Sequence, residues 1–394
     1  MRAPLTPRLR DGLFIISATM MLGYGSVFAL LAVIREQYGF DETAIGLIGG
    51  SGFASGFVVQ LALSRYADQG HAHRMMQIGL AIASISSLSM VFAEALWQWI
   101  AARVLLGIGS GCFAPALRRI AVTNDPAHVG RSLGRLASFE LSGFLIGPLL
   151  ASLLQGWLGL QAPFLAVGLL LAAMAPLLSQ VPVQPEARVA ARTHVRTLLR
   201  RPAIQATLCA GVAFYVTIGV LEAVWAIFMA DLGASQLFIG LSLSLFMLPM
   251  VFIAPWAGGL AQQKGPLRVV RYSIAVAAAC MAIYGGVESL PWLCVALAIH
   301  SLADAFTMPA IQLAMARASD EAAIATGQGL LGAVNLSVAA SAAIAGGWVY
   351  DTFGATVVWQ GAGCLMLVLL TVASLRGSEL RTGEDAETTD VRTT

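Results

Sequence analysis

Lysine is almost missing from this chain: of 23 basic residues only Lys264 is a lysine. Charge of either sign is scarce too, at 11% of 394 residues, where a soluble domain carries about a quarter. An ordinary soluble domain is thereby excluded. The net charge of +2 makes a poor phosphate-binding surface, so no nucleic-acid partner is expected. A nucleotide-binding P-loop is excluded because its lysine precedes Ser or Thr, and Lys264 stands in Gln-Lys-Gly. His-Glu-x-x-His, Gly-x-Ser-x-Gly and buried His/Cys clusters are all missing, so the reading is not an enzyme, with no cofactor and no metal. The five cysteines, Cys112, Cys209, Cys280, Cys294 and Cys364, have no paired spacing and read as small apolar packing residues.

What the chain does hold is apolar sequence. Residues of the apolar set make up 58% of it, and mean hydropathy is +0.79. Runs of about twenty apolar residues, long enough to cross hydrocarbon as helix, recur near 12–34, 44–63, 75–93, 97–117, 136–158 and 163–181. A second set follows near 204–230, 238–261, 270–287, 292–313, 323–349 and 355–375. Arg8 and Arg10 before the first run mimic a signal peptide, but its length and the spans that follow predict an uncleaved helix. On this map nearly all basic residues fall on one side, including Arg2, Arg65, Arg74, Arg118, Arg119, Arg188, Arg192 and Arg268. By the positive-inside rule both termini are then cytoplasmic, in a multi-pass cell (inner) membrane protein within a lipid bilayer.

The chain also repeats itself. Gly25, Gly39, Gly46, Ala67 and Pro115 recur 194 residues later as Gly219, Gly233, Gly240, Ala261 and Pro309. Two like halves in a very apolar chain are the layout of a secondary transporter. The expected fold is all-α: twelve transmembrane helices in two pseudo-symmetric six-helix bundles. Residues 1–180 form the N-terminal bundle, 181–203 a cytoplasmic linker with a short surface helix around Arg188–Arg201, 204–377 the C-terminal bundle, and 378–394 a disordered tail.

The segment after the second span reads Ser64-Arg65-Tyr66-Ala67-Asp68-Gln69-Gly70-His71-Ala72-His73-Arg74. Its repeat reads Gly258-Gly259-Leu260-Ala261-Gln262-Gln263-Lys264-Gly265-Pro266-Leu267-Arg268. Both resemble the signature loop of the major facilitator superfamily, G-x-L-A-D-R-x-G-R-R/K. The first copy keeps Asp68 with Ser64 for glycine; the second keeps Gly258 and Gly265 with Gln262 for the acid. The fourth span, Arg103 through Gly107, Gly109, Gly111 and Pro115, is similar to that superfamily's R-x-x-x-G-x-G-x-G motif. The fifth, with Gly143, Gly147 and Pro148, is similar to the G-x-x-x-G-P motif of its antiporters. The resemblance implies that Asp68, Gly70, Arg74, Gly143, Gly147, Pro148, Gly258 and Gly265 serve conformational change. In the family the acid of the signature loop lies near the start of a helix in the opposite half, where free N–H groups favour negative charge.

Glu222 in the seventh span and Asp304 in the tenth resemble the acids that carry coupling protons in proton-coupled multidrug exporters. An ionised group facing lipid costs about 2.5–3.5 kcal/mol even on the gentlest scale, so each should face protein or water. Arg103, inside the fourth span, joins them as a candidate for proton coupling. Helical spacing places Tyr215, Gly219, Glu222, Trp225 or Ala226, and Met229 on one stripe, suited to a lipophilic cation. Tyr24, Gln60, Tyr215, Trp225, His300 and Asn335 are the candidate substrate-cavity liners. For Glu140, at the start of the fifth span, interfacial snorkelling and a site role stand side by side. The resulting expectation is a monomeric exporter of small hydrophobic or cationic compounds in exchange for protons. A symporter or exporter of a sugar or amino acid, or a receptor that has lost transport, are the alternatives.

Overall fold

The computed structural model describes residues 5–40, 42–181 and 195–380. Arg2, the linker residues 182–194 with Arg188 and Arg192, and the tail residues 381–394 lie outside it. Of the expected linker helix only Val195–Leu198 is described. The long helices are α1 (Pro7–Tyr38), α2 (Glu42–Tyr66), α3 (Ala72–Met90), α4 (Leu96–Asn124), α5 (Val129–Leu158) and α6 (Gln161–Ala173). They continue as α7 (Pro202–Asp231), α8 (Gln236–Lys264), α9 (Pro266–Tyr284), α10 (Leu290–Ala318), α11 (Ile324–Phe353) and α12 (Ala355–Arg376). No strand occurs among the described residues.

Eleven helical stretches among the described residues are long and apolar enough to cross a membrane. One of them, Ala44–Met90, runs for 47 residues, about 70 Å of helix against about 30 Å of hydrocarbon. It is broken at Gly70, whose φ of 94° lies in the left-handed region that favours glycine. The segment expected as a loop from Ser64 to Arg74 is therefore mostly helix, turning only at Ala67–His71. The core is apolar, and so is much of the exterior, while several charged residues are buried. Phe92, Trp157, Phe252 and Ile344 are exposed, while Arg103, Asp68, Arg119, His300 and Asp304 are buried. Such an apolar exterior suits lipid, and the helices satisfy their own backbone polar groups.

The described residues of Met1–Pro126, Phe139–Thr193 and Glu321–Ala333 form one compact unit. Those of Ala127–Ser138, His194–Asp320 and Val334–Thr394 form the other. The first turns of α5 thus group with the second half of the chain, and those of α11 with the first. Glycine accounts for both: a Cβ on Gly130 of α5 would strike the Gly258 carbonyl of α8, and one on Gly329 of α11 would lie 2.5 Å from the Ser64 Cβ of α2.

Repeat positions play matching roles. Gly39 and Gly233, with φ of 67° and 79°, end α1 and α7. A Cβ on Gly25 would sit 2.6 Å from the Phe144 carbonyl of α5, and one on Gly219 would strike the Ala339 carbonyl of α11. Pro115 and Pro309 lie inside α4 and α10. The surroundings of Gly240 lie outside the described residues.

The motif glycines let helices touch through their backbones. A Cβ on Gly107 would run into Gly52 and Ser55 of α2, and one on Gly109 would lie 2.7 Å from the Gly79 carbonyl of α3. Alternating glycines thus seat α4 against both neighbours. Gly143 meets the Ala18 carbonyl of α1 in the same way, and Gly147 lies against Ser26 and Gly25. Gly143→Val is expected to destabilise the fold by about 1–3 kcal/mol or more through overpacking. Thermal unfolding in detergent checks this, with Gly156→Val, where nothing lies within 4 Å, as the unaffected control.

Candidate functional site

Asp68 sits in the turn between α2 and α3, 3% exposed. Its Oδ1 accepts from Arg119 Nη1 at 2.7 Å and the Ala325 N–H at 2.9 Å. Its Oδ2 accepts from the Thr326 N–H at 2.7 Å and the Thr326 hydroxyl at 2.6 Å. Four donors fill the lone-pair positions of an ionised carboxylate, and two of them are free N–H groups at the start of α11, where negative charge is favoured. Arg119 Nη1 also donates to the Glu321 carbonyl at 2.6 Å. Arg119 reads from sequence as one more positive-inside charge; it is instead buried on this acid. Arg74 is exposed.

The repeat of this site has an amide in place of the acid. Gln262 Oε1 accepts from the Gly130 N–H, near the start of α5, at 2.7 Å, and Gln262 Nε2 donates to the Ala127 carbonyl at 2.6 Å. Arg317 Nη2 donates to the Gln262 backbone carbonyl at 3.0 Å. A carboxylate could accept from Gly130 but could not donate to Ala127, so the amide is fitted to its place. Gln262→Glu is expected to lower stability by about 1–3 kcal/mol, since the Ala127 carbonyl loses its donor; thermal melting of purified protein checks this.

Arg103 is fully buried in the first unit. Its Nε and Nη2 donate to the Ile48 and Gly49 carbonyls of α2, both at 3.1 Å. The guanidinium lies 4.9 Å from the Tyr24 ring centroid and 5.3 Å from that of Phe28, so carbonyls and ring faces, not an acid, hold its charge. Tyr24 is buried and shares a 2.9 Å hydrogen bond with Ser110.

Glu140 is buried rather than snorkelling. Its Oε1 accepts from Ser17 at 2.9 Å, and its Oε2 pairs with Arg118 at 3.2 Å. It lies eleven residues into α5, about 16 Å along the axis, because α5 begins at Val129 and not near 136. Gln60 is buried against Gly332 of α11. Asn335 is buried in the second unit.

In that unit Glu222 is exposed on α7, with no hydrogen bond or ion pair to another described residue. Trp225 and Met229 are fully buried, while Ala226 is exposed. The stripe expected from spacing thus divides: Trp225 turns into the bundle, its ring 5.2 Å from Tyr284 and 6.1 Å from Trp359, and its Nε1 donates to Ser242 at 2.9 Å. Spacings of three and four residues straddle one face, and packing selects which goes inside. Tyr215 is half-buried, edge-on to Phe214.

Asp304 and His300 are 1% and 0% exposed on α10. His300 Nε2 lies 3.5 Å from Asp304 Oδ2, and His300 Nδ1 shares a 2.9 Å hydrogen bond with the Tyr284 hydroxyl. The structure does not bring Glu222 and Asp304 together. The five cysteines are free, and no group of three or more metal-ligating side chains occurs among the described residues.

The Major Facilitator Superfamily model matches residues 13–223 and 206–392, and the chain belongs to that family. Its eleven long apolar helical stretches among the described residues fit a multi-pass membrane protein of that family. A multi-drug resistance efflux pump PmrA homolog of Lactococcus lactis is 33% identical over 158 residues, 38% of each chain. The multidrug resistance protein MdtG of Serratia proteamaculans is 29% identical over 241 residues, 58% of each. The matched segments thus span 38% and 58% of those relatives' lengths. Among solved structures, the human organic anion transporter MFSD10 (TETRAN) shares the fold, with a TM-score of 0.78 at 17% identity, over 94% of this chain and 100% of that one.

Proposed function

We propose that the protein is a proton-coupled antiporter of the inner membrane that exports small hydrophobic or cationic compounds by alternating access. In this reading twelve helices cross in two six-helix bundles, both termini are cytoplasmic, and the working unit is a monomer. Glu222 carries the proposal: an exposed carboxyl without a partner among the described residues, on a helix apolar enough to cross a membrane. Facing lipid it would cost several kcal/mol, so it requires water or a cation beside it. Protons taken up from outside by Glu222 and Asp304 favour one conformation and leave inside as substrate binds. Each charge crossing with the potential supplies about 2.3 kcal/mol per 100 mV. One relative named as a multi-drug resistance efflux pump and another named as a multidrug resistance protein support the substrate class.

The test is a drug-susceptibility panel in a pump-deficient host beside sugar- and amino-acid-uptake assays. Raised resistance to several lipophilic cations is expected. Proton-driven movement of a sugar or amino acid with unchanged susceptibility would replace the reading with a metabolite transporter.

A further inference from the structure

Two acids in the second unit sit in opposite environments. Glu222 is exposed and has no partner among the described residues, whereas Asp304 is buried between α10 and its neighbours. A buried carboxyl cannot exchange protons with water unless a path reaches it. The structure contains one candidate path, and it runs inside the unit.

From Asp304 Oδ2 it is 3.5 Å to His300 Nε2, and from His300 Nδ1 it is 2.9 Å to the Tyr284 hydroxyl. Tyr284 is fully buried but is the last residue of α9, next to half-exposed Gly285 and the short turn that carries exposed Glu288, so an opening of this turn is the step that brings water to its hydroxyl. The His300 and Tyr284 rings stack at 5.8 Å with 28° between planes. Phe246 meets the imidazole edge-on at 5.7 Å, and Trp225 and Trp359 close over Tyr284 at 5.2 Å each. The titratable side chains of α9 near Asp304 are Cys280 and Tyr284, and among the described residues no arginine or lysine pairs with it. His300 Nε2 and Asp304 Oδ2 are both buried without a hydrogen bond. A purely structural pair would be satisfied or replaced by apolar packing, whereas a relay needs one link that closes and opens.

We propose that Tyr284 and His300 form a proton path joining Asp304 to water at the 285–289 turn, separate from whatever surface Glu222 faces. This rests on the antiport reading for its direction, which puts that turn outside. A proton arriving on the Tyr284 oxygen releases that hydroxyl's own proton to His300 Nδ1. The imidazole gives its Nε2 proton to the Asp304 carboxylate, which becomes the acid. Tyrosine and imidazole end neutral, with the imidazole proton on Nδ1; exchange back along the path restores the starting tautomer, and when the Asp304 proton leaves inside a flip of the imidazole ring restores it. A small rotation of either side chain closes the 3.5 Å link.

The experiment is infrared difference spectroscopy on the full-length protein in lipid nanodiscs after a jump from water to deuterium oxide, with no substrate added. The carboxyl C=O band of Asp304 is assigned by its loss in Asp304→Asn. Its deuterium shift is expected to slow at least about tenfold in Tyr284→Phe, which keeps the stacked ring, and in His300→Gln. It should keep its rate in Glu222→Gln. Backbone amide exchange in the same spectra reports whether each variant stays folded. Wild-type exchange rates in both path variants would overturn the proposal, as would the lack of any Asp304 acid band from mildly acid to mildly alkaline pH. The readout needs no transport, so a protein that moves no drug yet shows Tyr284-dependent exchange would defeat the exporter reading and leave this one standing.

Discussion

Glu222→Gln is expected to cut proton-driven export at least about 100-fold, the scale of losing a proton-transfer group. Glutamine keeps the shape and a hydrogen-bonding end but cannot change charge. Because Glu222 has no partner among the described residues and is exposed, no buried pair is broken and the fold should melt as the wild type does. Binding of a neutral substrate should survive, binding of a lipophilic cation should weaken, and the dependence of rate on the pH difference should vanish. Reconstituted vesicles with an imposed pH jump measure all three. Full retention of pH-driven transport would remove Glu222 from the mechanism.

The second large effect is expected at Asp68. Its carboxylate takes four donors, one from Arg119, two from Thr326 and one from Ala325. In Asp68→Asn one side of the amide turns its own donors toward these groups, and Arg119 loses its countercharge. Removing one partner of a buried ion pair costs about 3–5 kcal/mol. The contact joins the α2–α3 turn to the start of α11, so the loss should fall on the conformational step. Transport is expected to drop at least about tenfold, a shift of about 1.4 kcal/mol in the barrier, while substrate still binds. Arg119→Gln should reproduce most of the defect, and the double variant should add little to either single change. Because the pair is buried, added salt should change the wild-type rate only slightly. Additive losses in the double variant would show that the two residues act separately.

How far the sequence spoke depended on whether a property was local. Apolar runs, the 194-residue repeat and the glycine motifs are written in spacing, and Gly39 and Gly233 end equivalent helices as their recurrence suggested. Asp68 stood out as an acid in a basic loop. Its partners did not: Arg119 lies 51 residues away and Thr326 lies 258 away, and only tertiary packing brings them together. Arg119 looked like Arg118, yet one meets Asp68 and the other Glu140. A doublet of arginines deep enough on α4 to point inward was the available signal. Gln262 looked like decay of the motif until the Ala127 carbonyl gave its amide a use. The stripe on α7 left Trp225 and Ala226 as alternatives, and packing buries Trp225 and exposes Ala226, because helical spacing alone does not say which flank of a face is covered. Tyr284 offered no signal at all; its hydroxyl matters only because His300 lies against it.

A proton gradient is expected to drive this protein to expel lipophilic compounds, and dye transport into everted membrane vesicles measures that coupling most directly. A fluorescent lipophilic cation should accumulate when the vesicle interior is made acidic, leak back on adding a protonophore, and fail to accumulate with Glu222→Gln. Dye accumulation that is the same with and without the gradient, or that is absent across a broad panel of cations and neutral drugs, would contradict proton-driven export.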